Sequence, residues 1–330
     1  MKIGELRTTV KKHSKKELEY IIAELYKLVP KNKKEIYQID DLIEKPVKTT
    51  KVVKQKKIRQ IEDIAEDVDI FHDNAIEQNY LIPNTIISKK ERPKWRFVVK
   101  RLYKEIIEAE KNGNSPLRCG QELQILYETL TYACGYQIFS TYDSFESVGI
   151  EQADFFEQTI RIYRHSMSIE DFITKGINLV IDNELNRYTV YSELMEIFIS
   201  YCQTPDMKEL AVKELKRLWE KKNKEVVRGS SWSTNLYDKE RKLNNYTEFA
   251  FRYYAHLFDF ENAIKIYKTK YIEKDKEVKL YILIRLLFKF KEKDLIHNEL
   301  KVARDIKQRD SLQKMLSFIE KNDSLPKYIG

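Results

Sequence analysis

The sequence predicts an all-α protein, built of antiparallel helix pairs stacked as a repeat-like α-solenoid array behind an N-terminal helical hairpin. Three observations carry that expectation. Apolar residues recur at three- and four-residue steps along most of the 330 positions, and strand-like alternation is scarce. Eight Gly and seven Pro are too few for a fold that depends on many tight turns. Near the C-terminus a string repeats: Leu257-Phe258-Asp259-Phe260-Glu261 returns thirty residues later as Leu287-Phe288-Lys289-Phe290-Lys291. Each copy closes one apolar-periodic segment and opens the next. A helix pair that is apolar on both members cannot bury those faces alone, so it stacks on its neighbours.

Taken in order, the chain divides into four segments. Residues 1–44 read as a helical hairpin. Ser14-Lys15-Lys16-Glu17 is a capping box, from which Leu18, Ile21, Ile22, Leu25 and Leu28 form one face until Pro30. Ile36, Ile39, Leu42 and Ile43 predict one further short helix before Pro46. Residues 45–92 hold two opposed charge blocks: seven basic residues from Lys45 to Arg59, then seven acidic ones from Glu62 to Glu77. The first block reads as a linker. The second reads as a helix with Ile58, Ile61, Ala65, Val68, His72 and Ala75 on a coiled-coil-like seam.

Residues 93–228 read as a central helical domain. Trp95, Val98, Val99, Leu102, Ile106 and Ala109 stripe its first helix, which Asn112-Gly113-Asn114 stops. Leu123, Leu126, Tyr127, Leu130 and Cys134 mark the next, and 136–149 is expected to be a long loop. Helices are then expected over about 150–164, 169–183, 189–202 and 206–222. Residues 229–330 read as the repeats, with Phe260, Ala263, Ile264 and Tyr267 on one face of the helix after the first turn.

Composition narrows the class. A 42% hydrophobic content is ample for a core, and 34% charged residues suit amphipathic helices with solvated outer faces. The formal charge of +8 permits an anionic partner without requiring one. Cys119, Cys134 and Cys202 are odd in number and lack CxxC spacing, which argues against a disulfide framework and for a reducing, cytoplasmic location. The first residues are polar and include Glu5, so no signal peptide is expected. The longest apolar run, Leu280 to Phe290, is broken by Arg285 and Lys289, and no membrane span is expected.

No P-loop, GxGxxG, GxSxG or HExxH motif occurs, and the five histidines have no local partner set. Cys134 next to Gly135 continues an apolar stripe, as a buried structural thiol does. Asp69 and His72 share a helix face that suits a metal, against the simpler reading of a solvated acidic face docked on basic residues such as 89–104. The expectation is therefore a non-enzymatic binding or scaffold protein without cofactor or metal. Its predicted partner-binding residues are Arg252, Tyr253 and His256, placed off the core stripe of the first repeat helix, together with Arg161 and Arg164. The alternative partner is nucleic acid, held by Lys54, Lys56, Lys57, Arg96, Lys100 and Arg101, with Phe97 and Tyr103 available to stack.

Two resemblances accompany these readings. Ser14-Lys15-Lys16-Glu17-Leu18, Ile21-Ile22, Glu24-Leu25-Tyr26 and Pro93-Lys94-Trp95-Arg96-Phe97-Val98-Val99-Lys100, with Tyr127 and Tyr142-Asp143, resemble an uncharacterised bacterial family of helical proteins over the first 170 or so residues. Phe258-Asp259-Phe260-Glu261-Asn262-Ala263-Ile264, with Tyr267, resembles the Gly-Asp-Tyr-x-x-Ala turn of a degenerate tetratricopeptide repeat, with Phe258 in the glycine position. That second resemblance implies a protein- or peptide-binding role.

Overall fold

The computed structural model describes residues 3–36, 39–44, 59–228, 233–303 and 309–329, and every regular element among them is a helix. The chain forms two compact units, Met1–Ile58 and Arg59–Gly330.

The first unit holds α1 (Ile3–Val10), α2 (Lys15–Leu28), α3 (Lys31–Ile36) and α4 (Ile39–Glu44). The capping box forms: the Ser14 amide donates to the Glu17 carboxylate at 2.6 Å, and the Glu17 amide donates to Ser14 Oγ at 3.4 Å. Helix α2 stops at Val29, as the following proline demands. The single helix expected through Ile36 and Ile43 is two, α3 and α4. Tyr26 ties α2 to α4 by donating its hydroxyl to Asp40 at 2.7 Å, while Lys34 lies 3.6 Å from the same ring. No residue of α2 is buried. The basic block expected as a linker lies outside the described residues, apart from Arg59.

The second unit runs α5 (Ile61–Ile76), α6 (Trp95–Lys111, after a 3-10 turn at Arg92–Lys94), α7 (Pro116–Gly135), α8 (Ser144–Val148) and α9 (Gln152–Arg164). It continues through α10 (Ile169–Ile181), α11 (Tyr191–Tyr201), α12 (Pro205–Arg228), α13 (Ser233–His256) and α14 (Phe260–Lys270). It closes with α15 (Lys276–Lys289), α16 (Lys293–Val302) and α17 (Asp310–Asn322). Helices near in sequence pack together: α5 and α6 on α7, α12 on α13, α13 on α14, then α15, α16 and α17 in series. Boundaries expected at 92 and 228 fall inside this unit, because one apolar cluster extends from Ile61 through Ile266.

The acidic helix has a wider apolar stripe than the seam suggested, since Ile64 and Phe71 are buried with Ile61, Ala65, Val68 and Ala75. The loop expected over 136–149 is also more ordered than its composition implied. Phe139 stacks on Trp95 with centroids 3.9 Å apart, and α8 buries Phe145 and Val148. Asp143 caps α8, and Gly149 ends it at φ 70°, a conformation glycine adopts without strain. At Gly176, α10 meets α11 so closely that a Cβ would lie 2.0 Å from the Phe198 ring.

A second apolar cluster runs from Phe251 to Ile319. Here the internal repeat has a different register from the repeated string. Phe258 and Lys291 both sit at φ 59°, each between two helices, and they are 33 residues apart rather than 30. The hydrogen bonds agree: the Asp259 amide donates to the Tyr254 carbonyl as that of Glu292 does to the Leu287 carbonyl. The string misleads because its aromatics have different environments. Phe258 is 85% exposed at a turn, whereas Phe288 packs on the second cluster one residue before its helix ends. A further left-handed residue, Asp323 at φ 48°, ends α17.

Candidate functional site

The patch expected on the first repeat helix is not a surface. Arg252 and Tyr253 are buried, and the reason is that α13 is covered on both sides. Tyr246, Phe249, Ala250 and Tyr253 join the first cluster, while Phe251 and Ala255 join the second. Tyr253 stacks on Phe249 at 5.3 Å, and its hydroxyl lies 3.2 Å from Cys202 Sγ. Arg252 is held between Glu196 at 2.7 Å and Glu248 at 2.6 Å. His256 and Lys289 also reach Glu196, at 3.0 and 2.9 Å. Burial pushes the Glu196 carboxyl up, but hydrogen bonds from His256, Lys289 and Arg252 overcome it and bring its pKa to about 2. This cluster fastens α11, α13 and α15 together.

Arg161 and Arg164 are likewise engaged internally. Arg161 makes a two-pronged contact with Glu110 on α6, at 3.3 and 3.0 Å. Arg164 lies over Phe172 and within 3.6 Å of Met207 Sδ. The five residues expected to bind a partner therefore do not form a common open face.

Among the described residues, the acidic helix meets basic side chains through the Asp67 carboxylate and the Asp63 carbonyl. Asp67 accepts from Arg59 at 2.8 Å and from Arg101 at 3.1 Å, and Glu105 completes the square at 3.0 and 3.2 Å. Burial pushes the Asp67 carboxyl up; Arg59 and Arg101 outweigh it and hold it below the usual carboxylate range. Arg101 is thus spent on α5. Lys54, Lys56 and Lys57 lie outside the described residues. Arg96 is exposed on α6, 5.0 Å from the ring of the exposed Phe97, and Lys100 is half-buried beside Gly149. Tyr103, the other expected stacking residue, instead packs edge-on against Phe155 at 4.8 Å.

A groove of about 580 Å³ between α5, α7 and α10 has no counterpart among the sites expected from sequence. Its floor is polar and ordered. The buried Tyr163 donates its hydroxyl to Gln124 at 2.6 Å, and Gln124 donates to Glu128 at 2.6 Å. Thr131 donates to Asn183 at 2.7 Å. Thr129 gives its one hydroxyl proton to the Ile125 carbonyl at 2.7 Å, so its oxygen accepts from His72 Nδ1 at 2.8 Å. In the neutral ring that leaves Nε2 of His72 as an acceptor. One side is fixed by Asp182, 3.1 Å from Lys242, and by Glu184, 3.6 Å from Arg241. At the mouth, Tyr132 and Tyr136 stack with centroids 4.6 Å apart and are 41% and 61% exposed. Sequence periodicity assigned His72 to the seam. No local signal joined it to residues fifty and a hundred positions away.

The thiols are poor nucleophiles. Burial pushes Cys119, Cys134 and Cys202 each up to about 11. Among the described residues, no group of three or more His, Cys, Asp or Glu side chains is placed to hold a metal ion, and no helix is long and apolar enough to cross a membrane. No protein-family model, curated protein or solved structure matches the chain.

Proposed function

We propose that this chain is a non-enzymatic binding protein, a helical array that docks a polypeptide segment in the groove between α5, α7 and α10. The observation that carries the reading is the stacked pair Tyr132–Tyr136, left open to solvent at the mouth of a cleft that Ile76 and Leu179 also line. Tyrosines provide broad amphipathic contact area at a low cost in side-chain ordering. Behind them, Nε2 of His72 offers an acceptor, and Asn178 and Lys175 on the α10 wall offer further polar partners for a peptide backbone. The volume lies within the range of about 300–1,000 Å³ common to binding clefts.

The test is selection of a displayed random-peptide library on the intact chain, with the parent compared with a variant carrying Tyr132→Ala and Tyr136→Ala. Both rings are well exposed, so each change should move stability by no more than about 0.5 kcal/mol. Enriched peptides should bind the variant at least about tenfold more weakly, the scale of losing aromatic anchors. No enrichment, or equal binding to a folded variant, would overturn the assignment.

A further inference from the structure

We infer that the outer face of α6 is a contact surface for single-stranded nucleic acid, independent of the groove. Residues 89–104 carry eight cationic side chains against one carboxylate, Glu91. The structure separates those that are spent from those that are available. Arg92 donates to the carbonyls of Ile87 and Asn84, Lys94 pairs with Glu91 at 2.7 Å, and Arg101 pairs with Asp67 and Glu105. Lys89, Lys90, Arg96, Lys100 and Lys104 make no ion pair among the described residues.

Their placement is ordered by the helix. Arg96, Lys100 and Lys104 stand at four-residue intervals, which puts successive cations about 6 Å apart along the axis. Together with Phe97 they fall within about 100° of the helix circumference. That arc lies away from the buried stripe of Trp95, Val99, Leu102, Ile106 and Ala109, and in it Arg96, Phe97 and Lys104 are exposed while Lys100 is half-buried. Lys100 Nζ lies within 3.5 Å of where a Gly149 Cβ would be, close to the end of α8.

A row of cations alone suits any polyanion. Phe97 narrows the choice. Its ring is 60% exposed, with the Arg96 guanidinium 5.0 Å from its centroid. A base can stack on such a platform while the row neutralises consecutive phosphates, and only an unpaired base presents a free face. A lipid surface gains little from one ring backed by an arginine. Duplex offers phosphates but no unstacked base.

The experiment measures fluorescence anisotropy of a labelled oligothymidylate of about 20 nucleotides against the full chain, from about 50 to 200 mM salt. A duplex of equal length and anionic phospholipid vesicles serve as comparison arms. The parent should bind the single strand with an affinity falling linearly on logarithmic axes. Arg96→Gln with Lys104→Gln should lower that slope by about 1.4, because two phosphates are no longer neutralised. Phe97→Ala should weaken the single strand by at least about fivefold and leave the duplex unchanged. Matching circular dichroism melts establish that the variants fold. No binding by the parent at low salt, an unaltered slope in the double variant, or vesicle binding with no effect of Phe97 on the oligonucleotide would each overturn the inference.

Discussion

Glu196 shows how far one buried charge decides local order. It accepts from Arg252, His256 and Lys289, residues on two different helices, and those bonds outweigh the cost of its burial. Its folded pKa of about 2 lies below the ordinary 4.5, so the unfolded chain takes up the proton first as pH falls. The stabilisation is complete above pH 4.5 and is lost on descending to about 2, a total of about 3 kcal/mol. Urea titrations across that range should show the parent losing this amount relative to Glu196→Gln; parallel curves would refute the linkage. Removing the partner is also costly. Arg252→Ala takes from Glu248 the arginine it pairs with and from Glu196 one of its three donors, His256 and Lys289 remaining, and should destabilise by about 3 kcal/mol. Sequence alone placed Arg252 and Tyr253 on a solvated face, where truncation costs little. The error is physical: an arginine between two helices reads like one in water until its acids, Glu196 and Glu248, are known, and Glu196 is 56 residues away.

At the scale of elements, periodicity was informative wherever one side of a helix meets the core. Helix α6 shows this, with Trp95, Val99, Leu102, Ile106 and Ala109 buried as spaced. It was uninformative for α13, whose two clusters leave no single stripe. The groove was illegible for another reason. Its walls come from three helices, and its ordered hydrogen bonds join residues 39 to 57 positions apart. The repeat unit was half legible: the paired helices were evident, but their register was set by left-handed turns rather than by the repeated string. Those turns carry a prediction. Phe258 holds φ 59° without a glycine's freedom and keeps its ring 85% exposed, so it bears the strain with little packing in return. Phe258→Gly should raise stability by about 1 kcal/mol. A loss in denaturant midpoint at constant slope would show that the exposed ring stabilises the turn.

For the whole molecule, burial is distributed unevenly, and opening should follow that distribution. The centre of the second unit is dense. Helix α7 alone buries Cys119, Leu123, Leu126, Tyr127 and Leu130, and α10 buries Phe172, Ile173, Ile177, Val180 and Ile181 in the same apolar cluster. Toward the end of the array the content falls: α16 buries Ile296 and Leu300, and α17 buries Leu312, Met315 and Ile319. In the first unit α2 buries nothing. A stacked array is held by nearest-neighbour interfaces, so its ends open at lower free energy than its middle. Opening free energies within one protein range from near zero up to the global value, according to buried apolar contact. Native-state hydrogen exchange should therefore label α2 first, α16 and α17 next, and α7 and α10 last, with the groove walls among the slowest amides. That order fits a docking groove presented by a rigid centre, where little ordering has to accompany binding. Protection of α2 comparable with that of α7 would contradict it, and would mean that the open face of Ile22, Leu25 and Leu28 is covered in solution.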